Sequence, residues 1–210
     1  MDGHGSLDAE ASAALIAEQQ ARVEAAIDVD GRILFSAWGV AWMLGFGLLW
    51  ATALDAPLVD LDRQTALLVF AGLLALAGAV TAVHLSRRSS GVRGTSARQG
   101  AMHGWAWSLG FGMVGALGVA LGRQGVSEEL MAFVMMTTSL IVVASLFMAG
   151  GAMWDAPTQW AIGAVVAVVT IVAVLVGLPH TYLVMCLGGG GALLAGAVVE
   201  AARRRRTREH

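Results

Sequence analysis

Two histidines are the side chains in this sequence best placed for metal or cofactor chemistry. His84 closes the second long apolar run and His103 opens the third. If both runs cross a membrane as sequential antiparallel helices, the two imidazoles lie at one depth and could bind haem or a metal ion. The pattern offers no third ligand, and two interfacial histidines beside an arginine-rich loop explain it more simply. We therefore expect no cofactor or metal, and keep a haem- or metal-binding redox protein as an alternative.

A second candidate site consists of aromatic residues at helical spacing. Trp38, Trp42 and Phe46 recur every four residues, which places them on one face of a helix, and Trp107 and Phe111 form an equivalent pair further along the chain. Two such faces could meet and enclose a substrate cavity for an apolar or cationic solute. The alternative is that the rings pack against glycine gaps or face lipid, and small-residue packing is the usual way in which membrane helices associate.

The two aromatic stretches form an internal repeat. Segment 38–50 matches segment 103–115 at seven of 13 positions, including a Trp and a Phe in register. Because the first and third apolar runs would cross the membrane in the same direction, the match predicts a parallel repeat of a helical hairpin. Spans one and two would correspond to spans three and four, although the similarity does not extend convincingly to spans two and four.

Small residues in the last apolar run predict a helix-packing or oligomer face. Gly188, Ala192 and Gly196 recur every four residues, and Gly188 begins a run of four glycines. Four glycines also weaken a helix, by about 1 kcal/mol each relative to alanine. A discontinuous helix that exposes its backbone to a ligand is therefore the alternative, but packing is the interpretation we prefer.

Several enzyme classes are excluded by composition. The chain has no lysine, so it lacks the lysine of a nucleotide-binding P-loop, and it has no H-E-x-x-H zinc motif. The single cysteine, Cys186, allows no intramolecular disulfide and no cysteine-based metal cluster. Since no catalytic motif is found, we expect a protein that is not an enzyme.

Six long apolar runs must position these residues. None holds an Asp, Glu, Lys or Arg in its interior, and each is long enough to cross the ~30 Å hydrocarbon layer as a helix. The runs cover residues 33–54, 65–84, 100–122, 130–153, 159–178 and 181–199. The predicted fold class is an all-α integral membrane protein with about six transmembrane helices.

The arginines predict the orientation of these spans. With both termini and the loop between spans two and three in the cytoplasm, 11 of the 13 arginines lie inside, and only Arg63 and Arg123 lie outside. We therefore expect a multi-pass protein of the bacterial cytoplasmic (inner) membrane with both termini cytoplasmic.

The chain divides into three predicted parts. Residues 1–32 form an acidic juxtamembrane helix, which suits docking onto the protein's own cytoplasmic face or onto a partner. Residues 33–201 form the transmembrane domain, and the arginine-rich tail 202–210 grips anionic lipid headgroups. Nucleic acid is not expected as a partner, because the basic run is short and held at the membrane.

Residues 14–50 resemble a loosely defined set of small actinobacterial six-span membrane proteins, in which members are often labelled hypothetical or putative transporter. The resemblance rests on EQQARVEAAI, a short linker and AWGVAWMLGFG. It implies a transport-associated protein, either a small exporter of apolar or amphiphilic solutes or a membrane subunit of an ABC-type exporter with a separate ATPase. A structural or accessory subunit, acting as a homo-oligomer or with another membrane protein, is the alternative. The resemblance assigns no functional residue.

Overall fold

A computed structural model describes residues 11–15, 18, 30–89 and 95–206 of the chain. Most of the predicted acidic helix of residues 1–32, and residues 207–210 of the tail, lie outside this range. Within it the chain is helical apart from short connections and contains no strand. Six of the described helical stretches are long and apolar enough to span a membrane, which confirms that part of the prediction of an all-α membrane protein.

Five spans are single α-helices, and the sixth has a π-helical middle. The helices are α1 (Gly31–Thr52), α2 (Arg63–Ser89), α3 (Thr95–Arg123), α4 (Glu128–Met153), α5 (Pro157–Val176), α6 (His180–Val184) and α7 (Gly191–Arg206). A π-helical segment, Met185–Gly190, joins α6 to α7. Three of its residues belong to the four-glycine run, and here the helix continues with hydrogen bonds that span five residues in place of four.

Side-chain caps and a proline set the starts of these helices. The carboxylate of Asp30 accepts a hydrogen bond from the Arg32 amide at the start of α1. Ser127 caps α4 and is followed by two acidic residues in the first turn, where they complement the helix dipole. Pro157 occupies the start of α5, where its missing N–H costs nothing.

The order of contacts between helices is not their order in the chain. α1 packs against α2 and against the π-helical segment and α7, α5 packs against the sixth span and α4, and α4 packs against α3. The helices therefore follow one another in space as α2, α1, sixth span, α5, α4 and α3. Although α2 and α3 are consecutive in sequence, they are the outermost helices of this arrangement.

The core lies among α1, α5 and the sixth span. Met185 and Thr181 are fully buried there, and Val166 of α5 is 1% exposed. The Thr181 hydroxyl donates to the Ala173 carbonyl at 2.9 Å, which ties the start of the sixth span to the end of α5. In the spanning windows, 39% of residues are buried for α1 and 44% for the sixth span, against 11% for each of α2, α3 and α4. Most of the apolar surface of α2 and α3 consequently faces outward, whereas α4, which packs between α3 and α5, is mostly half-buried.

Candidate functional site

The aromatic face of α1 is part of the core. Trp42 and Phe46 are each 4% exposed, and their rings meet edge to face at 5.5 Å. Phe46 also packs against Phe70 of α2 at 4.7 Å, which the absence of a side chain at Gly45 permits. Trp38 donates its indole N–H to the Thr81 hydroxyl of α2 at 2.9 Å. This face therefore joins α1 to α2 and to the sixth span.

The equivalent face of α3 packs against α4 and is more exposed. Trp107 donates its indole N–H to Nε2 of His103 at 2.9 Å and stacks on Phe111 at 6.0 Å. Phe147 of α4 meets Trp107 edge to face at 6.0 Å. Phe111 retains 41% of its surface exposed, so these rings form a half-open aromatic patch on the outer part of the bundle.

The two aromatic faces contact different helices. Phe147 of α4 touches Trp107 on one side and Phe35 of α1 on the other, with ring centroids 6.4 Å apart in the second pair. An α4 side chain thus separates α1 from α3 at this point. The two repeat segments do share one feature: Gly45 makes room for α2, and Gly110 makes room for Val142 of α4. The assignment of Trp38, Trp42, Phe46, Trp107 and Phe111 to solute binding stays a prediction.

The two candidate haem ligands have separate neighbours. Nε2 of His84 accepts a hydrogen bond from the Asp30 amide at 3.1 Å, at the start of α1. His103 packs instead against Trp107 and, at 4.9 Å, against Trp154 after the end of α4. Among the residues that the structure describes, no group of three or more His, Cys, Asp or Glu side chains is arranged to hold a metal ion.

A polar junction of Asp30, Arg32, His84 and Arg204 joins three helices at one end of the bundle. The Arg32 guanidinium lies 2.6 Å from the Asp30 carboxylate, and Nε of Arg204 lies 3.7 Å from it. The Asp30 side chain is only 10% exposed. Its hydrogen bond with Arg32, which outweighs the cost of burial, lowers the pKa of Asp30 from 3.8 to about 2. The carboxylate is therefore ionised and links α1 to α7, while the backbone amide of the same residue links α1 to His84 of α2.

The small residues of the sixth span face other helices of the same chain. A Cβ atom at Gly188 would lie 2.7 Å from Val169 of α5, and Gly196 is packed against Ile162 of the same helix. A Cβ at Gly189 would lie 2.8 Å from the Trp42 ring of α1. Ala192, between Gly188 and Gly196 on the predicted face, lines a groove beside α5. The face predicted from Gly188, Ala192 and Gly196 thus packs within the chain, and its use between copies stays a prediction.

A second face of small residues, on α3, was not singled out from the sequence. Its members recur every four residues, are all exposed, and are Gly100, Gly104, Ser108, Gly112, Ala116 and Ala120. No atom lies within 4 Å of a Cβ built on any of its three glycines. The spacing was visible in the sequence, but the stronger repeat of rings on the same helix masked it. Because this row turns about 40° around the helix at each step, we call only its central residues, Gly104, Ser108 and Gly112, the small-residue face of α3.

Two apolar grooves open on the side of the bundle. One, of about 650 Å³, runs between α5 and α7 and is lined by Thr158, Ala161, Ala192, Ala195 and Arg203 among others. The other, of about 350 Å³, lies between α4 and α5. We call the first the α5–α7 groove.

No family model, curated protein or solved structure matches this chain.

Proposed function

We propose that this chain is a membrane subunit of a larger, transport-associated assembly in the bacterial cytoplasmic membrane. The observation that carries the proposal is the open small-residue face of α3. Its three small residues lie within about 80° of one another around the helix and let a partner backbone come close, and in lipid such close packing is a main source of helix association. The sixth span of the same chain meets α5 through glycines in this way. The transport association itself is supported by the resemblance of residues 14–50.

The position of α3 is consistent with this role. Its main packing partner is α4, and α3 is an outermost helix of the bundle. Exposed large side chains flank the face, among them Trp105 and Leu109, at 66% and 62% exposure. A partner span seated on the small residues would cover these flanks as well, so that close backbone approach and apolar burial would stabilise the same contact.

Both termini are proposed to be cytoplasmic. Hydrogen bonds and ion pairs join the start of α1 to the ends of α2 and α7, so these segments share one end of the bundle. That end also carries Arg203, Arg204, Arg205 and Arg206, which favours the cytoplasmic side. In a Cys186→Ala background, a membrane-impermeant maleimide should label Asp60→Cys in intact cells and Arg98→Cys only after permeabilisation. Labelling of Arg98→Cys in intact cells, with Asp60→Cys labelled only after permeabilisation, would contradict the proposed topology.

Cross-linking tests the proposed interface. With Cys186→Ala as background, Ser108→Cys places a thiol at the centre of the small-residue face. Met113→Cys is the control, since Met113 is 69% exposed and lies about 140° around the same helix. A short bifunctional maleimide in native membranes should give a covalent adduct with Ser108→Cys only, and its mass distinguishes a second copy from a different partner. Equal adducts from both positions, or none from either, would contradict the proposal.

Export by the chain alone is the second candidate. The half-open aromatic patch around Trp107 favours it, because an apolar or cationic solute could enter from the side. Under this alternative, Trp107→Ala should reduce solute flux in vesicles more than Trp160→Ala, which alters an exposed ring on another helix. Equal flux in the unmodified protein and in both variants would contradict export through this patch.

A haem- or metal-binding redox protein is the remaining alternative. A haem protein would show a Soret band on purification, and a sample without one would dismiss that alternative.

A further inference from the structure

The α5–α7 groove has the dimensions of one lipid chain. On the side of the sixth span its apolar lining runs from Gly188 to Val199, which at ~1.5 Å per residue is about 16 Å. This is about half of the ~30 Å hydrocarbon core, or the depth of one leaflet. Ala161, Ala192 and Ala195 line it, so a long chain lying between the helices would meet shallow walls.

The mouth of the groove carries groups suited to an anion. α5 begins there at Pro157, and its N-cap residue Ala156 offers no side-chain hydrogen bond to the amides of Thr158 and Gln159, at the positive end of the helix dipole. Arg203 lines the same mouth, 3.9 Å from Glu200, in a last turn that contains four arginines.

A buried hydroxyl independently points to a polar ligand at this mouth. Thr158 lines the groove in the first turn of α5 and is 9% exposed. Its hydroxyl oxygen is buried and has no hydrogen-bond partner in the described structure. Leaving such a group unpaired costs about 1–3 kcal/mol, so a ligand that accepts its hydrogen bond would be favoured.

We propose that the α5–α7 groove binds a phospholipid with an anionic headgroup. One acyl chain lies along the groove between α5 and α7. The phosphate lies at the N-terminus of α5, where it accepts hydrogen bonds from the first-turn amides and the Thr158 hydroxyl and pairs with Arg203. The apolar length of the groove selects a lipid over a free phosphate ion. In the order of helices α4 lies between this groove and α3, which carries the small-residue face. The lipid site therefore does not depend on the proposed subunit role.

Native mass spectrometry of the purified full chain tests the site. Dioleoyl phosphatidylglycerol should be retained in preference to dioleoyl phosphatidylcholine, which has the same chains. Arg203→Gln should weaken phosphatidylglycerol retention about fivefold, the equivalent of ~1 kcal/mol for one arginine at an anionic headgroup. Arg206→Gln is the matched control, because Arg206 belongs to the same run and does not line the groove. Inorganic phosphate alone should show no retention.

Two further variants separate the groove from general surface charge. Ala195→Leu should block retention of both lipids, whereas Val198→Leu, on an exposed position outside the groove, should not. Thr158→Val should raise the thermal stability of the lipid-free protein and lower its preference for phosphatidylglycerol.

Three results would overturn the proposal: equal losses with Arg203→Gln and Arg206→Gln, unchanged retention with folded Ala195→Leu, or equal retention of the two lipids by the unmodified chain. If Ala195→Leu does not fold, the comparison of the two arginine variants still decides.

Discussion

The charge on Asp30 should be a measurable part of the stability of this protein. Its carboxylate accepts three hydrogen bonds from the Arg32 side chain, between 2.6 and 3.2 Å, and faces Arg204 of α7. Asp30→Asn keeps the shape of the side chain and its capacity to cap α1, because asparagine is also a favourable N-cap. The substitution therefore removes mainly the ionic interactions of the polar junction.

The magnitude follows from the pKa. A fall of the Asp30 pKa from 3.8 in the unfolded chain to about 2 in the folded protein corresponds to about 2 kcal/mol at 1.36 kcal/mol per unit. Because the folded pKa is the lower one, this stabilisation is fully present above pH 4 and is lost as the pH falls towards 2. For a chain of 150–250 residues, where 1 kcal/mol shifts Tm by roughly 2–4 °C, Asp30→Asn should lower Tm by roughly 4–8 °C at pH 7.

Thermal unfolding in mild detergent, followed by tryptophan fluorescence, measures this effect. Asp60→Asn is the control, since Asp60 is an exposed aspartate in the connection between α1 and α2, and its Tm should stay close to that of the unmodified protein. The difference between Asp30→Asn and the unmodified chain should shrink between pH 4 and pH 2. Equal Tm values at pH 7, or a difference that persists undiminished to pH 2, would refute the reasoning.

Two further predictions concern packing inside the bundle. Gly189→Ala should lower Tm, because its Cβ would lie 2.8 Å from an indole ring of α1, whereas Gly191→Ala, with no atom within 4 Å, should leave Tm unchanged or raise it; the same direction for both in a thermal scan would contradict the packing described. Thr81→Val should cost about 1 kcal/mol more than Thr52→Val, since both hydroxyls bond back to their own helix but only Thr81 also accepts the Trp38 indole N–H. Chemical unfolding of the two threonine variants measures this difference, and equal stabilities would show that the Trp38 bond contributes nothing.

The features that sequence predicts well here are local. Charge-free runs predict six spans for two reasons. The thickness of the bilayer sets the length of a spanning segment, and a helix pairs the backbone N–H and C=O groups within that segment. The Ser127 cap of α4 also follows from neighbouring residues. The polar junction was not predicted, because its side chains come from the start of α1, the end of α2 and the tail, and Asp30 and His84 are 54 positions apart. No local pattern encodes such a contact.

The candidate sites show the same limit. Four-residue spacing places Trp42 and Phe46 on one face of α1, but the sequence does not say whether that face meets a cavity, lipid or another helix. Each ring is only 4% exposed because Gly189, far along the chain, makes room for Trp42 and because α2, the next helix, packs against Phe46. The four glycines predicted only that the helix is weakened at this point. Glycine lowers the stability of a helix, but it does not determine whether the helix forms α- or π-type hydrogen bonds.

The π-helical segment gives the sixth span a rotational register. An α-helix turns about 100° per residue, and the extra residue held in Met185–Gly190 offsets everything beyond it by about that angle relative to a regular helix. Tyr182 before the segment and Leu193 after it both point into the core. If the same residues formed a regular α-helix with no residue removed, Arg204 would turn by about 100° away from Asp30, while the apolar residues would stay in the membrane. The π-helical geometry at mid-span, rather than the small size of its glycines alone, thereby sets the direction of the charged end of the chain, about 20 Å further along the helix.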